Sequence, residues 1–230
     1  MIRPAIVLLT MWAVGGVVVP ATAQVAPSKA EYAAYTGLHA AAAKGDIAAI
    51  HRIGADKTKL NARDAYGRTP LMVAAYVKRY DSATALMVSG ADVDALERDR
   101  YDAVTIASVA NDPKMLKLVI AGGAKAGQTT SPYDGTALIA AAHLGHVEVV
   151  KTLIAAGAPL DHVNNLNWTA LIESIVLGDG GANHIACLTA LVDAGADVNI
   201  ADGSGVTPLQ LAQHHGFDEM VQILKAAGAK

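Results

Sequence analysis

The sequence repeats itself with a period close to 33 residues, and this repetition restricts the possible folds more than any other feature. The segment GRTPLMVAA at residues 67–75 returns as GVTPLQLA at residues 205–212. Aligning the leucine of TPL gives six equivalent positions at intervals of 33, 33, 34, 33 and 38 residues: Leu38, Leu71, Val104, Leu138, Leu171 and Leu209. Regular spacing is typical of stacked units, so we predict an array of six copies rather than one globular core.

Each copy carries the start and stop signals of two short helices. A residue that can cap the first helix stands in every copy, at Thr36, Thr69, Asp102, Thr136, Thr169 and Thr207. A residue that tolerates a left-handed backbone ends this helix in four copies, at Gly45, Asn111, Gly145 and Gly216, whereas Lys78 breaks the rule. Five extra residues at 178–182 predict a flexible loop between the two helices of the fifth copy, either a secondary contact or a neutral insertion.

The pattern T-P-L-x-x-A-A followed by G-x-x-x-V-V-x-x-L-I-x-x-G-A resembles the ankyrin repeat over residues 35–230. The resemblance implies an all-α repeat solenoid in which each unit has two antiparallel helices and a projecting β-hairpin loop. The expected units are residues 35–63, 64–96, 97–130, 131–163, 164–201 and 202–230. Proteins of this family bind other proteins through the hairpin tips and the concave face, and as a rule they lack catalytic activity.

Aromatic and arginine residues occupy the positions that this architecture leaves projecting. Aromatic residues form only 4% of the chain, so their placement there is informative. Because Tyr, Trp and Arg dominate binding energy at interfaces, we predict a partner-binding surface made of tip and concave-face residues. Its members are Tyr66, Arg68, Tyr76, Arg98, Tyr101, Tyr133, His143, Trp168 and His214. The alternative is that the tips tolerate tyrosine because it packs against the neighbouring hairpin.

No motif predicts catalysis, a cofactor or a metal site. His39, His146 and His184 match structural positions of the family, and we expect them to form hydrogen bonds between turns. The single cysteine, Cys187, cannot form an internal disulfide and is expected to be buried and inert. The glycine-rich segments at residues 178–183 and 202–205 lack the strand context of a phosphate or hydrolase site. The net charge of −3 argues against nucleic acid as a partner.

The first 23 residues have the order of a secretory signal peptide. Arg3 is followed by an apolar or small stretch from Ala5 to Val19 and by the small residues at positions 21–23. We predict cleavage after Ala23, a short lead-in at residues 24–34, and a secreted or periplasmic protein that is monomeric and free of the membrane. Retention of the segment as an anchor is the alternative.

Three functions remain open at the level of sequence. The first is an exported scaffold that binds a protein partner. A loose resemblance to exported bacterial ankyrin proteins implies that this partner could be a peroxide-detoxifying enzyme such as a catalase. The second is a periplasmic immunity protein that occludes a toxin. The third is an enzyme, which the sequence favours least because it shows no pair of titratable groups in a closed pocket.

Overall fold

Over the residues that the structure describes, the chain folds into six stacked helix pairs, which confirms the all-α repeat solenoid. The computed structural model describes residues 24–230, so the predicted signal segment at residues 1–23 lies outside the described residues. The inner and outer helices of the six pairs are α2 (Gly37–Lys44) with α3 (Ile47–Gly54), α5 (Pro70–Tyr76) with α6 (Tyr80–Val88), α7 (Ala103–Val109) with α8 (Pro113–Ala121), α9 (Ala137–His143) with α10 (Val147–Ala155), α11 (Ala170–Val176) with α12 (Ala182–Asp193), and α13 (Pro208–His215) with α14 (Asp218–Ala226). Two further helices, α1 (Lys29–Ala34) and α4 (Lys57–Leu60), precede the first pair and follow it.

The inner helices begin where the repeated caps predict. The side chains of Thr69 and Asp102 accept hydrogen bonds from the backbone amides of Met72 and Thr105, and the same bond recurs at Thr136, Thr169 and Thr207. Thr36 precedes α2 but makes no such bond. Five of the six predicted caps therefore satisfy an amide that the helix itself leaves unpaired.

The residue that ends the inner helices adopts the left-handed conformation even where the sequence departs from glycine. Gly45 and Gly216 have φ values of 80° and 70°. Lys78, which breaks the sequence rule, has a φ of 56°. The stacking of the second repeat thus imposes on a lysine a conformation that costs a residue with a Cβ roughly 1–2 kcal/mol.

Two layers of helices share one elongated core. Along the stack, α2, α5, α7, α9, α11 and α13 pack in sequence order, and α3, α6, α8, α10, α12 and α14 form the second layer. The aligned residues Leu71, Leu138 and Leu171 are at most 1% exposed. Because each helix buries its apolar side only against its neighbours, stability arises from the interfaces between copies.

The hairpins between helix pairs are joined to one another by backbone hydrogen bonds. Arg98 N donates to Tyr66 O at 3.0 Å, and Asn165 N donates to Tyr133 O at 2.9 Å. The hairpin between α8 and α9 has two short antiparallel strands, β1 (Thr129–Thr130) and β2 (Gly135–Thr136), with Thr129 opposite Thr136. These bonds hold successive hairpins side by side along one edge of the solenoid.

Candidate functional site

One polar side chain closes each hairpin, and the sequence analysis did not single it out. Asp64 Oδ1 accepts hydrogen bonds from the backbone amides of Tyr66 and Arg68, both at 2.9 Å. Equivalent pairs of bonds, to the amides two and four residues later, are made by Glu97, Ser131, Asn164 and Asp202. The signal was present in the sequence, because these positions are separated by 33, 34, 33 and 38 residues, like the core leucines.

Tyr66 lies at the tip of the first complete hairpin and is 39% exposed. The guanidinium carbon of Arg68 lies 4.6 Å from the centre of its ring, and that of Arg98 lies 5.3 Å away. Arg98 itself is exposed and donates a hydrogen bond to the carbonyl oxygen of Ala65. Two cation–π contacts hold the exposed ring in place, so it is preorganised for contact.

Arg68 does not lie on the exposed surface, which corrects the prediction that it is accessible to a partner. Its side chain is 1% exposed. Its Nε donates to Asp64 Oδ2 at 2.7 Å, its Nη1 donates to Val25 O at 3.2 Å, and its Nη2 pairs with Glu31 Oε1. The cause is the segment before α2, which folds over the guanidinium and supplies two of its acceptors.

Tyr101 is also buried, at 9% exposure, and burial raises the pKa of its hydroxyl to about 12. The prediction that it is an exposed tip residue is therefore wrong. The tip residues belong to two different positions: Tyr66 and Tyr133 stand three residues before the helix cap, whereas Arg68, Tyr101 and Trp168 stand directly before it. The latter three have their amides bonded to the closing side chain. Trp168, in this second position, is half-buried, as is Tyr133 in the first.

The concave-face positions range from half-buried to exposed. Tyr76 is half-buried at the end of α5, and this burial raises the pKa of its hydroxyl. His143 at the end of α9 is 16% exposed. His214 near the end of α13 is exposed, with its ring centre 5.8 Å from that of His215. We call the side chains that stay accessible the inner surface: Tyr66, Tyr76, Arg98, Tyr133, His143, Trp168 and His214.

Glu173 is a buried carboxylate on α11 that the sequence analysis missed. Its side chain is 6% exposed. Asn164 Nδ2 donates to its Oε1 at 3.0 Å, and His143 Nδ1 lies 3.1 Å from its Oε2. The corresponding positions in the other copies are apolar: Ala40, Val73, Ile106, Ala140 and Leu211. An acid at a position that is otherwise apolar was the signal that could have found it.

The three histidines that were predicted to be structural lie within hydrogen-bonding distance of backbone carbonyl oxygens. His39 Nε2 lies 2.9 Å from Arg68 O, and His146 Nδ1 lies 2.9 Å from Ser108 O. His184 Nε2 lies 2.9 Å from His143 O. Cys187 is fully buried, and burial raises the pKa of its thiol to about 11. A thiol that stays protonated at neutral pH is a poor nucleophile.

The insertion in the fifth copy is only partly a loop. The segment between α11 and α12 comprises residues 177–181, and α12 has 12 residues where α10 has 9. Three of the five extra residues therefore extend the outer helix by almost one turn. Asp179 Oδ1 binds the amide of Gly181 at 2.8 Å and lies 2.7 Å from His184 Nδ1, so this loop is tied to the helix that follows it.

Within residues 24–230, no group of three or more His, Cys, Asp and Glu side chains is arranged to hold a metal ion. Over the same residues, no helix has both the length and the apolar character needed to cross a membrane.

Comparisons with known proteins agree with this architecture. The family of ankyrin repeats in three copies matches residues 104–202, and the single ankyrin repeat matches residues 66–98. The ankyrin repeat protein YahD of Escherichia coli (strain K12) is 32% identical over 190 residues, which are 82% of this chain and 94% of that protein.

Solved structures show the same fold. An ankyrin repeat domain from Acinetobacter baumannii is 45% identical, with a TM-score of 0.79 over 84% of this chain and 98% of that one. The ankyrin repeat domain of Bcl-3, a member of the IkappaB protein family, is 25% identical, with a TM-score of 0.74 over 86% of this chain and 88% of that one.

Proposed function

The chain belongs to the ankyrin-repeat family, and from this premise we propose that it is a non-catalytic scaffold of the cell envelope that binds a protein partner through the inner surface. Ankyrin repeats generally mediate protein–protein binding and are generally non-catalytic. The proposal adds the surface that does the binding and the compartment in which it acts.

The exposed ring of Tyr66 is the observation that carries the proposed surface. It projects from a hairpin, is 39% exposed, and is flanked by two guanidinium groups at 4.6 and 5.3 Å. An aromatic ring whose position is already defined loses little entropy when a partner covers it. Tyr and Arg are also the residue types that most often contribute large shares of binding energy.

A pull-down with matched variants tests this surface. The bait is the chain from residue 24 to 230, and the prey is a cell-envelope extract with quantitative mass spectrometry as the readout. We expect the double variant Tyr66→Ala, Arg98→Ala to lose the partner, because truncation of an aromatic interface anchor costs roughly 1–4 kcal/mol of binding, and loss of the exposed Arg98 cation adds up to about 1 kcal/mol.

The control is Val88→Ala, which truncates a side chain that is 77% exposed on the outer helix α6. It should recover the partner like the unaltered chain. Both baits must show the same helical circular dichroism and the same melting temperature. Equal recovery of the partner by the double variant and the control contradicts the proposed surface.

Export rests on residues 1–23, with their early arginine, apolar stretch and small residues at 21–23. The test is N-terminal sequencing of the protein from fractionated cells. We expect Gln24 as the first residue and recovery in the periplasmic or secreted fraction. A protein that keeps Met1 and stays in the cytoplasmic fraction contradicts export while leaving the binding surface unaffected.

A further inference from the structure

The segment before the first repeat is attached mainly by polar contacts. This lead-in segment, residues 24–35, contains α1, which has no buried residue, and Pro27 is its one buried member. The helix is closed by a capping box in which Ser28 N donates to Glu31 Oε2 at 2.8 Å. Gln24 has a buried side-chain nitrogen without a hydrogen-bond partner in the described structure. Apart from Pro27 and two half-buried tyrosine rings, little apolar area holds this segment in place.

The lead-in segment is tied to the first complete hairpin through Arg68 and Asp64. Glu31 binds the Arg68 guanidinium, and Val25 O accepts from Arg68 Nη1 at 3.2 Å. Tyr35 donates its hydroxyl to Asp64 Oδ2 at 2.7 Å, and its ring centre lies 5.3 Å from that of His39. The Glu31 side chain is 27% exposed, whereas that of Asp64 is 8% exposed, so Glu31 is the acid on the solvent side of the arginine.

The surface around Arg68 is suited to an acidic ligand. Arg98 and Arg63 are exposed on the same two hairpins, and Arg98 shares the Tyr66 ring with Arg68. Two of the three acids of these hairpins, Asp64 and Glu97, are less available, because they accept bonds from the backbone amides of their own loops. A planar guanidinium that already binds one carboxylate from outside the repeats can bind another of the same geometry.

We propose that Arg68 is a carboxylate-binding position beside the inner surface, that Glu31 of the lead-in segment occupies it in the isolated chain, and that an acidic segment of a protein partner takes its place. This inference rests on the proposed function and specifies the chemistry of the partner. The lead-in segment acts as an internal competitor, and its displacement uncovers Arg68 beside Tyr66.

The experiment uses the lead-in segment itself as the probe. A fluorescent peptide with the sequence of residues 24–35 is titrated against the chain from residue 24 to 230 and against its variants, with anisotropy as the readout. The test variant is Glu31→Gln, Tyr35→Phe, which removes the two side-chain bonds from the chain's own lead-in segment to Arg68 and Asp64. Its matched control is Glu148→Gln, which removes an exposed acid of α10 that pairs with Lys151 at 3.2 Å.

We expect the peptide to bind the test variant at least about tenfold more tightly than it binds the unaltered chain or the control. The same peptide with glutamine in place of its glutamate should lose that gain. Amide hydrogen exchange at residues 29–35 should be faster in the test variant than in the control. Glu31→Gln alone should show an intermediate affinity, which provides a second measurement if the double variant melts early.

Equal peptide affinity for the test variant and the control overturns the inference, as does equal binding of the glutamate and glutamine peptides. The peptide assay needs no natural partner. A negative peptide result therefore contradicts this inference and leaves the pull-down result unaffected. A positive peptide result together with a failed pull-down contradicts the proposed scaffold function instead.

Discussion

Arginine side chains are concentrated in the first two complete hairpins, residues 62–68 and 95–101, whereas the last two, residues 162–168 and 200–206, contain neither arginine nor lysine. The backbone bonding of these four loops is nevertheless the same, with one side chain accepting from the amides two and four residues later. The closing side chain accepts the hydrogen bonds of two backbone amides in each loop, and the other positions of the loop are therefore free to differ in charge. Recognition chemistry can vary along the solenoid without a change in its fold.

The closing side chain also differs in charge between the first and the fourth hairpin, and its neighbour explains the difference. Asp64 in the first hairpin lies beside Arg68, with Oδ2 2.7 Å from Nε. Asn164 in the fourth lies beside Glu173, with Nδ2 3.0 Å from Oε1. An acid next to a cation and an amide next to an acid are both favourable, so the two loops reach the same geometry beside neighbours of opposite charge.

The largest effect we expect is one that both ends share. Leu71→Ala and Leu171→Ala remove core side chains that are each 1% exposed. Both should lower the free energy of unfolding by about 2–5 kcal/mol, because each leaves a cavity in a stacked core. Urea unfolding monitored by circular dichroism measures the effect. A loss confined to one of the two variants would show that the halves differ in packing as well as in surface charge.

Exchanging the two closing side chains should destabilise both loops. Asp64→Asn removes a charged acceptor of Arg68, and Asn164→Asp places a second carboxylate against Glu173. We expect each to cost about 1.5–3 kcal/mol, the range for hydrogen bonds that involve charged groups. Urea midpoints at neutral pH provide the measurement. Adding Glu173→Gln to Asn164→Asp should restore most of the loss, and absence of this rescue would contradict the assigned contact.

The two exchanges should differ in their pH dependence. Burial opposes ionisation of Asp64, but bonds from Tyr35, Arg68 and the amide of Tyr66 outweigh it and hold its pKa below the ordinary value. The stability from Asp64 is therefore complete above about pH 4 and is lost as the pH falls through its lowered pKa, so the deficit of Asp64→Asn shrinks only in that acidic range.

For Asn164→Asp, two adjacent carboxylates raise one of their pKa values. The penalty is present above the raised pKa and is relieved as the pH falls through it, so recovery should begin above about pH 4. Unfolding midpoints measured from pH 7 to pH 3 distinguish the two ranges. Identical pH profiles for the two variants would contradict the charge assignment.

The salt dependence of the partner affinity should come from the first two hairpins and not from the last two. Arg98→Ala removes an exposed cation and should weaken binding by up to about 1 kcal/mol while reducing the salt dependence. The matched control is Asn167→Ala, at an exposed uncharged position in the fourth hairpin. It should leave the salt dependence unchanged. Affinities at low and high ionic strength measure this effect. An equal change of affinity with ionic strength in both variants would count against an acidic partner.

The smallest effect concerns the left-handed residue between helices. Lys78→Gly in the second repeat should raise stability by up to about 1 kcal/mol, because it removes a Cβ from a φ of 56°. Gly216→Ala in the sixth repeat should lower it by a similar amount, since no atom lies within 4 Å of an added Cβ and only backbone strain contributes. Melting temperatures measure both, and shifts of the same sign would contradict this explanation.

The sequence predicted the repeats well because their signals are local. Five of the six predicted caps bind the third residue of their helix, and the histidines at positions 39, 146 and 184 bond to backbone carbonyls as expected. The predicted surface was less accurate. Arg68 and Tyr101 have the residue types of interface anchors but stand directly before a helix cap, where they are buried.

The sequence by itself determined six helix pairs, five of the six inner-helix caps and the family, because the same short local pattern occurs in each repeat. Only the tertiary structure decided which tip residues stay accessible and which charges are paired. Glu31 meets Arg68 across 37 residues, and His143 meets Glu173 across 30. Contacts at such separations depend on how neighbouring units stack, and single side chains within an otherwise regular pattern do not encode that stacking.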